Sequence, residues 1–197
     1  TNHFAREVHM DEIAIGLGLD PLEFRLSNLS HARLRACLVT AAEAFDWASR
    51  EKKPGVGFGL AVGYDAGSFT AQCVEVLVEN REARVVRVMV GFDCGLVVNP
   101  DGARNQIEGA IVMGMGTALW EAVEFDGGRV LNAGFARYRV PRITDTPEIE
   151  VVFTGDDDMP SSGAGEPGIV PIAAAIANAV RDATGTAIEE LPIVPRL

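Results

Sequence analysis

One glutamate in the chain sits where its carboxylate can do chemical work. Glu166 lies in Gly163-Ala164-Gly165-Glu166-Pro167-Gly168, directly before an Ala-rich segment, 171–184, that reads as a helix ended by Gly185. Gly165 admits backbone angles that other residues avoid, and Pro167 biases Glu166 away from helical geometry. The carboxylate is therefore expected to project from an irregular loop facing the positive end of that helix, where glycine N–H groups can cradle an anion beside it. The plain alternative is a glutamate that merely complements a helix dipole, and the local residues alone favour it. The same six residues match the spacing of the dinucleotide-binding fingerprint. Two features argue against that use: Asp156-Asp157-Asp158 upstream would repel a pyrophosphate, and too little chain follows the helix to add further sheet. NAD is rejected as a ligand.

Gln106, in Asn105-Gln106-Ile107-Glu108-Gly109, is the second candidate, because an amide reads both a donor and an acceptor on a heterocycle edge. A solvent-facing polar residue is its plain alternative. Asp93-Cys94-Gly95 and Asn99-Pro100 read more simply as turn and cap residues. Cys37, Cys73 and Cys94 form no C-x-x-C pair, and His3, His9 and His31 lack ligand spacing. The chain by itself therefore offers no side-chain metal site and no iron–sulfur cluster; its cysteines read as buried free thiols.

The elements that must position these residues fall into two parts. Helical patterns cover 3–18, with Phe4, Val8, Ile15 and Leu19 as the apolar stripe, a segment from Asp20-Pro21-Leu22-Glu23, where Glu23 completes a capping box on Asp20, and 32–49. The charged break Glu51-Lys52-Lys53-Pro54 then divides a helical arm, 1–53, from the remainder, 54–197. From Gly55 the period changes to two: Gly57, Gly59, Ala61 and Gly63 alternate with Phe58, Leu60 and Val62, a strand with one bare face that another backbone can approach. That face and the helical arm are expected to pack on another chain or an upstream segment. A hairpin follows, 70–79 and 83–92 around Asn80-Arg81-Glu82, then a helix at about 101–120 whose small residues imply tight packing on both sides, and strands at 121–125, 129–133 and 148–154. The fold class is α+β, with a mixed or antiparallel sheet and packed helices.

The composition narrows the partners. The 197 residues carry 17 Lys plus Arg against 28 Asp plus Glu, a formal net charge of −11. Such a surface repels phosphate backbones, which argues against nucleic acid. The most apolar stretch, 168–180, is too short to span a bilayer.

Taken in order, Phe4-Ala5, Asp11-Glu12-Ile13-Ala14, Asp20-Pro21-Leu22-Glu23-Phe24-Arg25-Leu26, Asp93-Cys94-Gly95, Val98-Asn99-Pro100-Asp101, Gln106-Ile107-Glu108-Gly109 and Gly163-Ala164-Gly165-Glu166-Pro167 resemble the C-terminal part of the molybdopterin-binding large subunit of the molybdenum hydroxylases, the xanthine dehydrogenase and aldehyde oxidase superfamily. Ala177-Asn178-Ala179, Ala183-Thr184-Gly185 and Leu191-Pro192 continue the pattern. Asp65-Ala66-Gly67-Ser68 joins two strands directly where xanthine and carbon monoxide dehydrogenases carry a long insert. That join resembles the isoquinoline 1-oxidoreductase β-subunit and the membrane-associated aldehyde dehydrogenases.

The resemblance implies a molybdenum–molybdopterin cofactor, in its cytosine dinucleotide form, whose metal is held by the pterin dithiolene. It implies Glu166 as the catalytic base, with Gln106, Gly163, Ala164 and Gly165 beside the cofactor. In the family that glutamate deprotonates a molybdenum-bound hydroxyl, the oxygen attacks an electron-poor carbon of an aldehyde or N-heterocycle, and hydride passes to a sulfido group. Implied partners are the remainder of the molybdenum subunit, a small [2Fe–2S] subunit carrying the iron–sulfur clusters, and a cytochrome or FAD subunit as electron acceptor. The expected compartment is cytoplasmic or periplasmic. The family often places a Lys just before the Gly-x-Gly-Glu run, where this chain has Ser161-Ser162. Because family subunits are several times longer, the chain is expected to be a fragment that is inactive alone; a non-catalytic assembly module or degenerate paralogue is the competing reading.

Overall fold

The computed structural model of the chain describes residues 2–195. Helices α1 (Asn2–Gly16), α2 (Pro21–Asn28) and α3 (Ala32–Phe45) come first, followed by strands β1 (Val56–Asp65), β2 (Ser68–Glu79) and β3 (Glu82–Asp93). Helix α4 (Pro100–Leu119), the short strands β4 (Phe125–Asp126) and β5 (Arg129–Val130), strand β6 (Glu148–Phe153) and helix α5 (Ile172–Thr184) complete the order. Strands β1, β2 and β3 pair antiparallel in sequence order and β6 adds in parallel beside β3, so the main sheet is mixed and the fold is α+β.

The period-two pattern of β1 explains the layering, since successive side chains point to opposite faces. Phe58, Leu60 and Val62 join Cys37, Leu38 and Phe45 of α3 in one core, while Ala61, Val74, Val88 and Val90 join Ile172, Ile176 and Ala179 of α5 in the other. Helices thus cover both sides of the sheet. The bare face of β1 is closed by the chain itself: a Cβ on Gly59 would stand 2.2 Å from the Ala175 carbonyl oxygen, and one on Gly57 2.0 Å from that of Ala179. This corrects the expectation that the face awaits another chain. Glycine is required there because α5 lies backbone-to-backbone on the strand. The arm is likewise packed at home, with α3 on β2 and β3 and α1 on α5 and β1.

Three further expectations are corrected. The buried residues of α1 are Glu7, Val8, Asp11 and Ala14, whereas Ile15 is 47% exposed and Leu19 48%. The two acids turn inward because Arg25 of α2 meets both: its Nε donates to Glu7 Oε2 at 3.0 Å, and its guanidinium also binds Asp11. A buried charge persists only when paired and hydrogen-bonded, and Glu7 is further held by the Val62 N–H at 3.1 Å. Second, α4 is tight on both sides only in its second half: a Cβ on Gly114 would meet Ile172 Cγ2 at 2.3 Å and one on Gly116 would meet Pro141 Cγ at 2.6 Å, while one on Gly109 would meet nothing within 4 Å. Third, the strands expected at 121–125 and 129–133 shrink to two exposed residues each, because neither face of that ribbon has a core to bury.

Cap signals held better. The Asp20 carboxylate accepts from the N–H of Leu22 and Glu23, and the Asn99 side chain from that of Gly102. Only half of the expected capping box forms among the described residues: the Asp20 carboxylate accepts the Glu23 N–H, but the Asp20 N–H has no bond to the Glu23 carboxylate, and the Asp20 oxygens also take Trp47 Nε1 and Arg50.

Candidate functional site

Glu166 opens a short helical turn, Pro167–Ile169, that runs into α5, with the Ile169 N–H donating to the Glu166 carbonyl at 3.1 Å. Its own angles are φ −80° and ψ −37°, in the right-handed helical region, and Gly165 is not among the residues with positive φ. Both observations correct the expected loop geometry. Proline suits the first position of a helical turn, so here Pro167 starts helix instead of excluding it. The placement of Glu166 at the leading end of the α5 stack is as expected, and there N–H groups lack intrahelical partners.

Four segments seat the loop at one end of the sheet. The β1–β2 connection, Ala66-Gly67, has φ of 49° and 82°, the pattern of a two-residue hairpin turn that glycine favours at its second position. The Ala66 carbonyl accepts the Gly163 N–H at 3.3 Å, and Ser68 Oγ donates to the Gly163 carbonyl at 2.6 Å. Further back, the Ser162 N–H donates to the Cys94 carbonyl and Ser161 Oγ to the Leu96 carbonyl. At the other end, Gln72 Nε2 donates to the Gly168 carbonyl at 2.7 Å, and Gly168 lies so close to α4 that a Cβ there would stand 3.1 Å from Ala110 Cβ.

The Asp93-Cys94-Gly95 corner supporting Ser162 is itself pinned. Arg33 of α3 grips both Asp93 oxygens, at 2.8 and 2.7 Å, and the Gly95 N–H adds a third bond at 2.9 Å. The Arg33 hydrogen bonds hold the Asp93 carboxyl below its ordinary value against the opposing effect of burial.

Above this seat the expected site residues converge. Gln106, exposed on the first half of α4, brings its Oε1 to 3.5 Å from where a Gly165 Cβ would lie, so the amide stands next to the loop backbone at Gly165. Among the described residues, the Glu166 carboxylate and the Gln106 amide have no side-chain hydrogen bond, and the N–H groups of Ala164, Gly165 and Glu166 reach no acceptor. Gly163 differs, since its N–H and carbonyl are both taken up inside the protein. The arrangement is a row of free donors, one bidentate amide and one free carboxylate on an open surface. Also among the described residues, no three His, Cys, Asp or Glu side chains group to hold a metal ion.

Ser68, Gln72 and the Arg33–Asp93 pair were not picked out from the sequence. The available signal was weak: Ser68, Thr70 and Gln72 keep the inward period of an otherwise apolar strand.

Comparison with known proteins shows the family. Residues 25–147 match the family model of a molybdopterin cofactor-binding domain. The chain is 36% identical to a nicotinate dehydrogenase subunit of Pseudomonas putida, over 98% of this chain and 18% of that protein. It is 34% identical to the β-subunit of isoquinoline 1-oxidoreductase from Brevundimonas diminuta, over 98% of this chain and 25% of that one. It thus spans a quarter or less of the length of these relatives. Among solved structures, the aldehyde oxidoreductase of Desulfovibrio desulfuricans superposes with a TM-score of 0.86 over 98% of this chain and 39% of that chain, at 18% identity, a likeness of fold.

Proposed function

The chain belongs to the molybdopterin cofactor-binding domain family of the molybdenum hydroxylases, and on that premise we propose that it is the part of such an enzyme that supplies the base, Glu166, for hydroxylating an aldehyde or N-heterocycle carbon with water. The observation that carries this reading is the free Glu166 carboxylate beside the Gln106 amide and three N–H groups without acceptors. The chain pairs its buried acids, Glu7, Asp11 and Asp93, and leaves this one open.

Hydroxylation of a C–H by water releases two electrons and two protons. The bound molybdenum–molybdopterin supplies the redox centre for the electrons. Glu166 takes a proton at a carboxylate oxygen. The Ala164, Gly165 and Glu166 N–H groups would hold the cofactor by its acceptor oxygens, and the Gln106 amide would offer it both a donor and an acceptor. Gly163 and the Ser68 contact shape the cradle. These donors fit a cofactor that brings its own metal ligands. We take 54–197 as the portion bearing this surface and 1–53 as a helical arm clamped to it. The cytosine dinucleotide form of the cofactor, a small [2Fe–2S] subunit, a cytochrome or FAD acceptor and a cytoplasmic or periplasmic setting belong to the same proposal. No helix among the described residues is long and apolar enough to cross a membrane.

The test is Glu166→Gln in the complete enzyme. Molybdenum content should stay at the parent value while turnover per molybdenum falls by about two to four orders of magnitude. Gln106→Ala should instead lower cofactor occupancy, with turnover per bound molybdenum changing far less. Near-normal turnover in Glu166→Gln would sink the assignment.

A further inference from the structure

We propose that Gln72, with Ser68, is the positioning residue that fixes where Glu166 stands; this rests on Glu166 being the base. Gln72 and Ser68 are both fully buried, and they project from one face of β2, with Thr70 between them. Each donates to the backbone of the Glu166 loop, Ser68 to the Gly163 carbonyl at 2.6 Å and Gln72 to the Gly168 carbonyl at 2.7 Å. The two anchors stand four strand residues apart, about 13 Å. The five residue steps from Gly163 to Gly168 could reach roughly 17 Å if fully extended, and the last of them are already coiled into the Pro167–Ile169 turn. The tether has little slack, so Glu166 cannot shift without breaking one anchor.

Packing alone does not account for a glutamine here. Its Oε1 is buried with no hydrogen-bond partner, and Thr70 Oγ1 beside it is in the same condition. An unsatisfied buried acceptor is destabilising, and an aliphatic side chain of similar volume would avoid it. Where α5 crosses β2 the inward positions are Val74 and Val76, and they turn polar only where the Glu166 loop crosses. The Nε2 donor is what the position gains in exchange. A carbonyl gripped from below sets the pitch of the Pro167–Ile169 turn, and that pitch aims the side chain at its head. Gln72 touches neither the open surface nor Gln106, so it acts through the backbone.

The experiment compares Gln72→Met, Ser68→Ala and Glu166→Gln in the complete enzyme. It reads molybdenum per protein, kcat and KM per bound molybdenum, and backbone hydrogen exchange of the peptide spanning 163–170. Gln72→Met preserves volume and removes the donor. The expected result is unchanged metal content, faster exchange confined to 163–170, and kcat lower by about 10- to 100-fold, as for supporting groups around an active site, with KM changing far less. Ser68→Ala, which frees the other end by deleting one hydroxyl, should move the same readouts in the same direction; it decides the matter should Gln72→Met fail to fold. Unchanged loop exchange, or a kcat within about threefold of the parent, in variants that fold and hold metal overturns the positioning role while Glu166→Gln is inactive. An active Glu166→Gln overturns the base itself, and the positioning role with it.

Discussion

Replacing Gly59 by alanine should wedge α5 away from β1. A Cβ at that position would lie 2.2 Å from the Ala175 carbonyl oxygen and 2.3 Å from the Ala179 nitrogen. Ordinary contact is about 3.5 Å, so roughly 1.3 Å of separation must be found. The atoms met are helix backbone, which cannot swing aside as a side-chain tip does. Overpacking of a core costs about 1–3 kcal/mol, and the rigid partner places this case at about 3 kcal/mol or beyond. For a chain of this size each kcal/mol lowers the melting temperature by about 2–4 °C, so a fall of about 6–12 °C is expected. Gly109→Ala is the matched control with the opposite sign. Its Cβ would meet nothing within 4 Å in the middle of α4, and alanine is favoured over glycine in a helix by about 1 kcal/mol, a rise of about 2–4 °C. Thermal melts of the 197-residue chain, followed by circular dichroism, measure both. The packing argument fails if Gly59→Ala melts within about 2 °C of the parent, or if both variants fall alike.

Two more outcomes follow from charge and burial. Asp93 has its carboxyl lowered by the Arg33 hydrogen bonds, so it contributes stability that is present above the unfolded carboxyl range, near pH 4, and is lost as pH falls through the lower folded value. Arg33→Met should therefore narrow the gap between urea midpoints at pH 7 and pH 3; an unchanged gap refutes it. Burial pushes the thiols of Cys37 and Cys73 up to about 12, so both should resist alkylation at pH 8 in the folded chain and label readily in denaturant. Native labelling as fast as in denaturant would refute that.

What the sequence disclosed, and what it withheld, divides along one physical line. Period and punctuation were legible: the Gly-Phe-Gly-Leu alternation of β1, the Asn80-Arg81 turn with both φ values positive, and the Asn99 cap all formed as their residues dictate. Glu166 and Gln106 could be singled out as candidates because the motifs that flag them are local, a loop and one helix face. Groups whose partner lies far along the chain could not be. Glu7 and Asp11 read as the wet side of α1 until Arg25 is placed beside them. Arg33 meets Asp93 across 60 residues, and Gln72 meets Gly168 across 96. A polar side chain on a strand announces solvent unless the backbone it serves is known. The bare face of β1 told of a close neighbour without telling that the neighbour is α5.

That closure of β1 by α5 has a cost in time. The Asn178 side chain ties the Glu7 carbonyl to α5 across 171 residues, and Gly59 meets Ala175 at a shorter but still long separation. Contacts this distant in sequence raise contact order and slow the search for the native pairing. On a ribosome adding about 5–20 residues per second, β1 waits roughly 6–24 s for α5 to be made. Through that interval Ala61, Val74 and Val88 have no helix over them, though all three are fully buried once the chain has folded. The nascent sheet is thus exposed to non-native pairing until α5 emerges. Because Glu166 leads directly into α5, the candidate site takes shape only after β1, β2 and β3 have been made.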